Sequence, residues 1–470
     1  MSLIPTMPRV RKIHFVGIGG SGMNGIAEVL HTQGYSVSGS DTKENEATKR
    51  LSSKGISIFI GHTAENIEGS DVLVISSAIS SSNPEVLAAK HLSIPILSRA
   101  EMLAELMRFY QYSIAVAGTH GKTTTTSLIA SIFAQGGLDP TFVIGGILTS
   151  LGGNARLGAS QYFVAEADES DASFLYFNPT IAVITNIEAD HMQTYNNDFS
   201  CLKQAFVDFL HKMPFYGLAV LCLDSPGVKD ILPIISRNMI TYGFDHQADI
   251  WAEDVKQNEM VTNFRVLFKS GEDPWVVHLN LPGKHNVLNA LAAIAVSKAC
   301  GIHKEAILQA LYEFKGVGRR LQLHGDAHLG EKKITVIDDY GHHPSEIEVS
   351  LAALRQSWPN RRIVLVFQPH RYTRTQSLFD DFVKALEQAD SLLLLNIYPA
   401  GEGVIDGVSS AALLESIRKR GKEDIHLISG QSVLLDVLAK ILKNGDVLLL
   451  QGAGDIGNFA PKIMKEFSCS

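Results

Sequence analysis

The sequence predicts an α/β chain of three domains, and three observations carry that prediction. Its 470 residues correspond to about three domains at roughly 150 residues each. Short apolar runs alternate with helical patterns along the chain, as βαβ units around parallel sheets require. Glycine-rich and titratable residues gather just after the apolar runs, where open α/β sheets bind ligands. The pattern breaks near Tyr112 and Arg319, which gives domains 1–111, 112–318 and 319–470.

Composition narrows the class. Hydrophobic residues make up 45% and charged residues 19%, and no segment nears the roughly 18 uninterrupted apolar residues of a membrane span. The opening MSLIPTMPRVRK has no apolar core followed by a small-residue cleavage site, so a cytoplasmic protein is expected. Cys201, Cys222, Cys300 and Cys469 show no CxxC spacing, so neither a zinc site nor a disulfide framework is indicated. A net charge of −8 argues against nucleic acid as a partner, and an anionic substrate must be held by local donors.

The first domain opens with the strand Ile13–Val16 and the turn Gly17-Ile18-Gly19-Gly20-Ser21-Gly22, followed by the helical spacing Ile26, Val29, Leu30. GxGxxG between strand and helix is a Rossmann-like start. A second strand, Tyr35–Gly39, leads to Asp41, where a dinucleotide-binding protein keeps its ribose carboxylate. Any diphosphate can use the same helix N-terminus, so NAD and UDP both fit at this point. Val72–Ile75 then runs into Ser76-Ser77-Ala78, a hydroxyl-bearing strand end.

The second domain begins with IAVAGTHGKTTTT, residues 114–126. Backbone N–H groups of the turn Gly118-Thr119-His120-Gly121 can meet phosphate oxygens, Lys122 can sit on the β- and γ-phosphates of ATP, and the Thr123 hydroxyl can ligate Mg²⁺, with Thr124 beside it. The match is to a shortened GxxGK[ST], since Val116 stands where the full spacing has glycine. A plain strand-to-helix turn with a surface lysine is the alternative; the strand before and the helix after favour ATP. Two further apolar runs end in Glu166-Ala167-Asp168-Glu169 and in Asn186-Ile187-Glu188-Ala189-Asp190-His191. They deliver Glu166 and His191 to the same edge, and carboxylate oxygen suits a Mg²⁺ shared with phosphate. A lone histidine is more often structural, but the neighbouring phosphate loop reverses that for His191. Asn286 and Asn289, in the stretch GKHNVLN, can read a base edge or cap the helix, and both uses stay open.

The third domain follows the break at Gly316–Arg320. Its strand Ile334–Ile337 precedes Asp338-Asp339-Tyr340-Gly341-His342-His343-Pro344, and Ile363–Phe367 precedes Gln368-Pro369-His370-Arg371-Tyr372-Thr373-Arg374. Arg371 and Arg374 are either solvated charges or a bidentate grip on carboxylate or phosphate. A last strand, Val447–Leu450, precedes Gly452-Ala453-Gly454-Asp455.

The order GIGGSGM, GTHGKTTTT, EADESD, TNIEADH, HNVLNA, DDYGHHP, FQPHRYTRT resembles the Mur ligases of bacterial peptidoglycan synthesis over almost the whole chain. The resemblance implies a Rossmann-like UDP-binding N-terminal domain, a central P-loop ATPase-type domain and a Rossmann-like C-terminal domain. It implies that Gly17, Gly19, Gly20, Ser21, Gly22 and Met23 hold the UDP of UDP-N-acetylmuramate rather than NAD, with Asp41, Ser76, Ser77, Ala78 and Tyr340 on the substrate side. Gly118 to Thr124 take the phosphates of ATP, Glu166 a first Mg²⁺ and His191 a second metal. By the same resemblance Asn286 and Asn289 lie on the adenine side, Arg320 reaches ATP, and His342, Arg371 and Arg374 face the acceptor and L-alanine. The implied reaction makes an acyl phosphate from the lactyl carboxylate and lets the alanine amine displace phosphate, with domain closure excluding water, in a monomer or homodimer.

Two rival functions share parts of this pattern. A ligase that recycles murein tripeptide, or a folylpolyglutamate synthetase, would keep the ATP core, but GIGGSGM and DDYGHHP speak against both. An NAD-linked dehydrogenase fused to an ATPase would rest on GxGxxG and Asp41. In several Mur ligases a lysine beyond the Asp-His pair is carbamoylated by CO₂; here the matching position is Phe206, so no carbamate is expected. Lys203, about one helical turn earlier, is the alternative in a shifted register.

Overall fold

The computed structural model describes residues 7–76, 78–148, 153–428 and 430–467, and these form three sheets. The first contains β1 (Lys12–Val16), β2 (Ser36–Asp41), β3 (Ser57–Ile60), β4 (Val72–Ile75) and β5 (Ile96–Ser98), in the order β3-β2-β1-β4-β5. All its pairings are parallel. Chain order reverses on either side of β1, so the crevice between the ends of β1 and β4 is a topological switch point, where such sheets take ligands. Ile13 and Phe15 pack into one fully buried core and Val16 and Leu73 into another, as expected of parallel strands covered on both faces.

The second sheet contains β6 (Tyr112–Ala117), β7 (Thr141–Leu148), β8 (Gly153–Arg156), β9 (Tyr162–Glu166), β10 (Ile181–Ile184), β11 (Leu218–Cys222), β12 (Asn238–Gly243), β13 (Ile250–Asn258), β14 (Val261–Phe268) and β15 (Trp275–Leu279). Their order is β15-β14-β13-β12-β11-β10-β6-β9-β7-β8. The strand that opens the phosphate loop, β6, therefore lies between β10 and β9, parallel to both. The third sheet contains β16 (Gln322–Leu329), β17 (Lys332–Asp339), β18 (Ile363–Phe367), β19 (Ser391–Leu395), β20 (Ile425–Ile428) and β21 (Val447–Gln451), ordered β16-β17-β21-β18-β19-β20. Only β16 runs antiparallel to its neighbour.

The chain clusters into two compact units. One comprises 1–254, 264–278 and 287–315 and holds the first sheet and most of the second; the other comprises 255–263, 279–286 and 316–470 and holds the third. Among the described residues no helix is long and apolar enough to cross a membrane.

Several strands depart from the sequence reading. The third sheet starts at Gln322 rather than Ile334, and β13 and β14 lie outside the sequence reading; β13 and β14 largely alternate between more and less buried positions and β16 is mostly exposed or half-buried, so they lack the continuous apolar run that marks a central parallel strand. The second strand runs Ser36–Asp41 instead of Tyr35–Gly39. Tyr35 is a core residue whose hydroxyl accepts the Met7 N–H at 2.7 Å, and the strand continues to Asp41 because β3 pairs with it there.

Candidate active site

The phosphate loop is built by β6 and the helix Lys122–Gln135, and the segment after β10 braces it. Thr119 N–H donates to Asn186 O at 3.1 Å, His120 N–H to Asn186 Oδ1 at 2.8 Å, and Thr185 Oγ1 to His120 O at 2.6 Å. The His120 ring lies 3.5 Å from Glu188. Gly121 has φ +82°, and a Cβ there would stand 2.5 Å from Asn289 Oδ1, so only glycine closes this turn. Asn289 is buried and accepts the Thr125 hydroxyl at 3.1 Å, which sets it against the loop's helix. Thr124 is buried in the first turn of that helix. Asn286 is also buried and donates to Pro282 O at 2.7 Å.

Two carboxylates at the end of β9 meet this loop. Thr123 Oγ1 lies 3.1 and 3.0 Å from the two oxygens of Glu166, which also accepts the Gly145 N–H at 2.9 Å. Lys122 Nζ donates to Gly118 O at 2.7 Å, to Thr119 O at 3.1 Å and to Glu169 at 2.7 Å. Burial pushes the Lys122 ammonium down, but the nearby charges of Glu169, Asp168 and Glu166 outweigh it and hold the lysine charged. Burial pushes the Glu169 carboxyl up to about 7. Sequence reading quoted Glu169 only as part of a motif; that it is the counter-ion of Lys122 needed the pairing of β6 with β9.

His191 follows β10, with φ +53° and its ring 3.4 Å from Asp190. Among the described residues no three His, Cys, Asp or Glu side chains converge as a metal cluster. A Mg²⁺ shared with nucleotide phosphates does not need one, and a threonine hydroxyl touching a carboxylate fits that donor set. Phe206 is fully buried against Phe174, while Lys203 pairs with Asp230 at 3.0 Å and lies over the Phe199 ring.

The glycine turn after β1 uses several of its own donors internally. Gly17 N–H is taken by Ser40 O at 2.8 Å, Gly19 N–H by Asp41 Oδ2 at 2.8 Å and Gly20 N–H by Gly17 O at 3.1 Å. These glycines shape the turn rather than offer those N–H groups. Asp41, whose other oxygen accepts Thr42 N–H at 2.8 Å, is a brace for the turn. Met23 is a core side chain, 1% exposed, with its N–H on Gly20 O, so it packs the helix Ser21–Thr32 against the sheet. That helix has no side-chain cap and no acid in its first turn, which leaves its positive end for an anion. Arg99, which the sequence reading passed over, lies beside it. A Cβ on Gly22 would stand 2.7 Å from Arg99 Cδ, and the guanidinium reaches to 3.9 Å from Asp168. Ser76 lies against Gly17 across the switch point, and its hydroxyl accepts the Ala78 N–H at 3.4 Å; Ser77 lies outside the described residues.

In the second unit the ends of β17, β18 and β21 gather a separate polar cluster. The His342 ring stands edge-on to Tyr340 at 5.6 Å and is 5.6 Å from His370, which stacks on Tyr398 at 5.5 Å. Burial pushes His342 down to about 3 and His370 to about 4, helped by Arg374 in both cases. Both imidazoles are therefore neutral near pH 7. Arg371 has φ +71°, its N–H bonded to Tyr398 O at 2.8 Å, a strained backbone of the kind found at functional sites. Arg320 lies over the Tyr340 ring at 5.3 Å and 3.9 Å from Glu346. Its neighbour Arg319 pairs with Asp338 at 3.3 Å and donates to the carbonyls of Gly452 and Gly454, so it holds the third glycine-rich strand end.

Comparison with known proteins places these features in one family. Residues 12–111 match the Mur ligase family catalytic domain, 116–297 the Mur ligase middle domain and 319–454 the Mur ligase glutamate ligase domain. The UDP-N-acetylmuramate–alanine ligase of Thermotoga maritima is 31% identical, over 97% of this chain and 99% of that one, with a TM-score of 0.83. A murein peptide ligase of Psychrobacter arcticus shares the fold at 24% identity over 97% and 99%, TM-score 0.72. The UDP-N-acetylmuramate:L-alanyl-γ-D-glutamyl-meso-diaminopimelate ligase of Neisseria meningitides is 30% identical over 65% of this chain and 98% of that one, TM-score 0.60.

Proposed function

The chain belongs to the Mur ligase family, ATP-dependent ligases of peptidoglycan precursor synthesis, and from that premise we propose that it joins L-alanine to the lactyl carboxylate of UDP-N-acetylmuramate. The observation that carries the choice of substrate is the full-length similarity to the Thermotoga UDP-N-acetylmuramate–alanine ligase. The domains proposed are 1–111 for the UDP-substrate, 112–318 for ATP and 319–470 for the amino acid. The setting proposed is the cytoplasm.

A carboxylate does not react with an amine, because oxide is a poor leaving group. The lactyl carboxylate oxygen therefore attacks the γ-phosphorus of ATP, the bond to the β,γ-bridging oxygen breaks, and ADP leaves. The acyl phosphate then accepts the neutral amine of L-alanine at its carbonyl carbon, and inorganic phosphate departs as the amide forms. A bound Mg²⁺ supplies charge neutralisation at the phosphates; Thr123 and Glu166 are the residues proposed to hold it, with His191 for a second ion. Lys122 gives the transferring phosphoryl group a fixed positive charge, exchanging its bond to Glu169 for phosphate oxygen. In the amino-acid cluster, His342 Nδ1 lies 3.2 Å from Tyr340 O. Donation there leaves Nε2 as a hydrogen-bond acceptor that can orient the incoming amine, while Arg371 and Arg374 are assigned to carboxylate. Asn286, Asn289 and Arg320 are assigned to ATP.

The test is ADP release from the purified chain with UDP-N-acetylmuramate and each of a panel of amino acids and peptides. Turnover with L-alanine is expected; turnover with L-alanyl-γ-D-glutamyl-meso-diaminopimelate and none with L-alanine would assign the chain to murein peptide recycling instead.

A further inference from the structure

Below the glycine turn of the first sheet lies a buried polar network that neither the motifs nor the proposed mechanism uses. Its centre is Glu85, in the first turn of the helix Pro84–His91 and 0% exposed. Ser40 Oγ donates to its Oε2 at 2.6 Å and Asn66 Nδ2 to its Oε1 at 2.6 Å; His62 Nδ1 lies 3.2 Å and His14 Nε2 3.7 Å away. Burial pushes the Glu85 carboxyl up, but the contacts with His14, Ser40 and Asn66 outweigh it and hold the group below the ordinary carboxylate range.

Two of the contacts of Glu85 end on residues that shape the turn. Ser40 also accepts, through its carbonyl, the N–H groups of Gly17 at 2.8 Å and Ile18 at 3.0 Å. Asn66 Nδ2 also donates to Gly61 O at 3.2 Å, while Gly61 N–H donates to Asp41 O at 2.8 Å. Asp41 in turn holds Gly19. One buried carboxylate is thus linked by hydrogen bonds to the β1 turn, the end of β2 and the loop after β3. A buried charge is expensive, and apolar side chains would fill such a space at lower cost. What a carboxylate adds is direction, since it fixes two separate donors at once.

We propose that Glu85 is a positioning residue for the UDP-substrate: through Ser40 and Asn66 it holds the glycine turn in the conformation that receives the diphosphate. The inference rests on the reading of this turn as the UDP site. Glu85 contacts no ligand itself and acts only on the geometry of the turn, so its loss falls on one substrate of the three.

The test is steady-state kinetics of the full-length Glu85→Gln and Ser40→Ala variants and their double variant. Glutamine keeps the size but turns an NH₂ toward donors. The expected result for Glu85→Gln is a KM for UDP-N-acetylmuramate raised on the order of tenfold, the size of one charge-assisted hydrogen bond. The KM for ATP and the kcat at saturation should stay within about twofold, a split that general loosening of the fold does not produce. Ser40→Ala should act in the same direction, and the double variant should be no worse than the more severe single one. An unchanged KM for UDP-N-acetylmuramate in either variant, an equal rise in the KM for ATP, or additive effects would overturn the proposal. If Glu85→Gln does not fold, Ser40→Ala alone decides by the same criteria. Wild-type protein that shows no saturable dependence on UDP-N-acetylmuramate overturns the reading of the site; a normal wild type with unaffected variants overturns only the role of Glu85.

Discussion

Two turns of this protein have the same outline, strand to glycine-rich turn to helix, and differ in how charge is placed around them. The turn after β6 is charged. Lys122 sits among three carboxylates, and Thr123 touches one of them. The turn after β1 has no lysine, and its N–H groups at Gly17, Gly19 and Gly20 are spent on Ser40, Asp41 and Gly17 itself. What it has instead is an uncapped helix end, with Arg99 nearby. The difference matches the tasks proposed for them. A phosphoryl group in transfer needs charge aimed at the transition state, whereas a diphosphate that only anchors a substrate needs shape and modest attraction.

The largest effect is expected at the charged turn. Lys122→Ala should lower ligation by at least about 10²–10³ while UDP-N-acetylmuramate binding, measured calorimetrically, stays close to wild type. Near-normal turnover would break the contrast between the turns. Next, Glu166→Ala should shift the Mg²⁺ dependence of ADP release to higher concentration, and EDTA should abolish release in both proteins. An unaltered Mg²⁺ titration would remove Glu166 from the metal site.

A pH experiment sets the third sheet against both turns. In the second unit burial holds His342 near 3 and His285 and His370 near 4, all below the ordinary value of about 6.5. Their stability contribution is full above about pH 6.5 and is lost as pH falls toward 4, because the unfolded chain binds protons that the folded one does not. The melting temperature should therefore fall between pH 7 and pH 5; a flat profile would mean that these imidazoles are solvated. At the turn after β1, Asp41→Ala should raise the KM for UDP-N-acetylmuramate a few-fold through loss of the Gly19 brace, with no oxidation of NADH. A larger effect on ATP than on the UDP-substrate would reverse the roles of the turns. The smallest effect is expected at Lys203, already paired with Asp230. Lys203→Ala and added bicarbonate should each leave turnover unchanged in degassed buffer, and bicarbonate rescue would reveal a carbamate.

What the sequence determined by itself was local. An apolar run fixes a buried parallel strand, and glycine spacing followed by hydroxyls fixes a strand–turn–helix, so β4, β18 and the phosphate loop could be placed before any coordinates. The positions of Lys122 and Thr123 at the start of a helix and of Glu166 at the end of a strand were legible for the same reason. Tertiary structure decided the partnerships between segments far apart in the chain. Glu169 became the counter-ion of Lys122 because β9 pairs with β6. Met23 and Asp41 proved to be a core residue and a brace, and Glu85 became a hub through donors on two other segments. Half-exposed strands such as β14 are hard to read because alternation over a few residues is a weak signal beside a continuous apolar run. Periodicity records which face of an element is buried; what that face is buried against depends on strand order, and no local pattern encodes it.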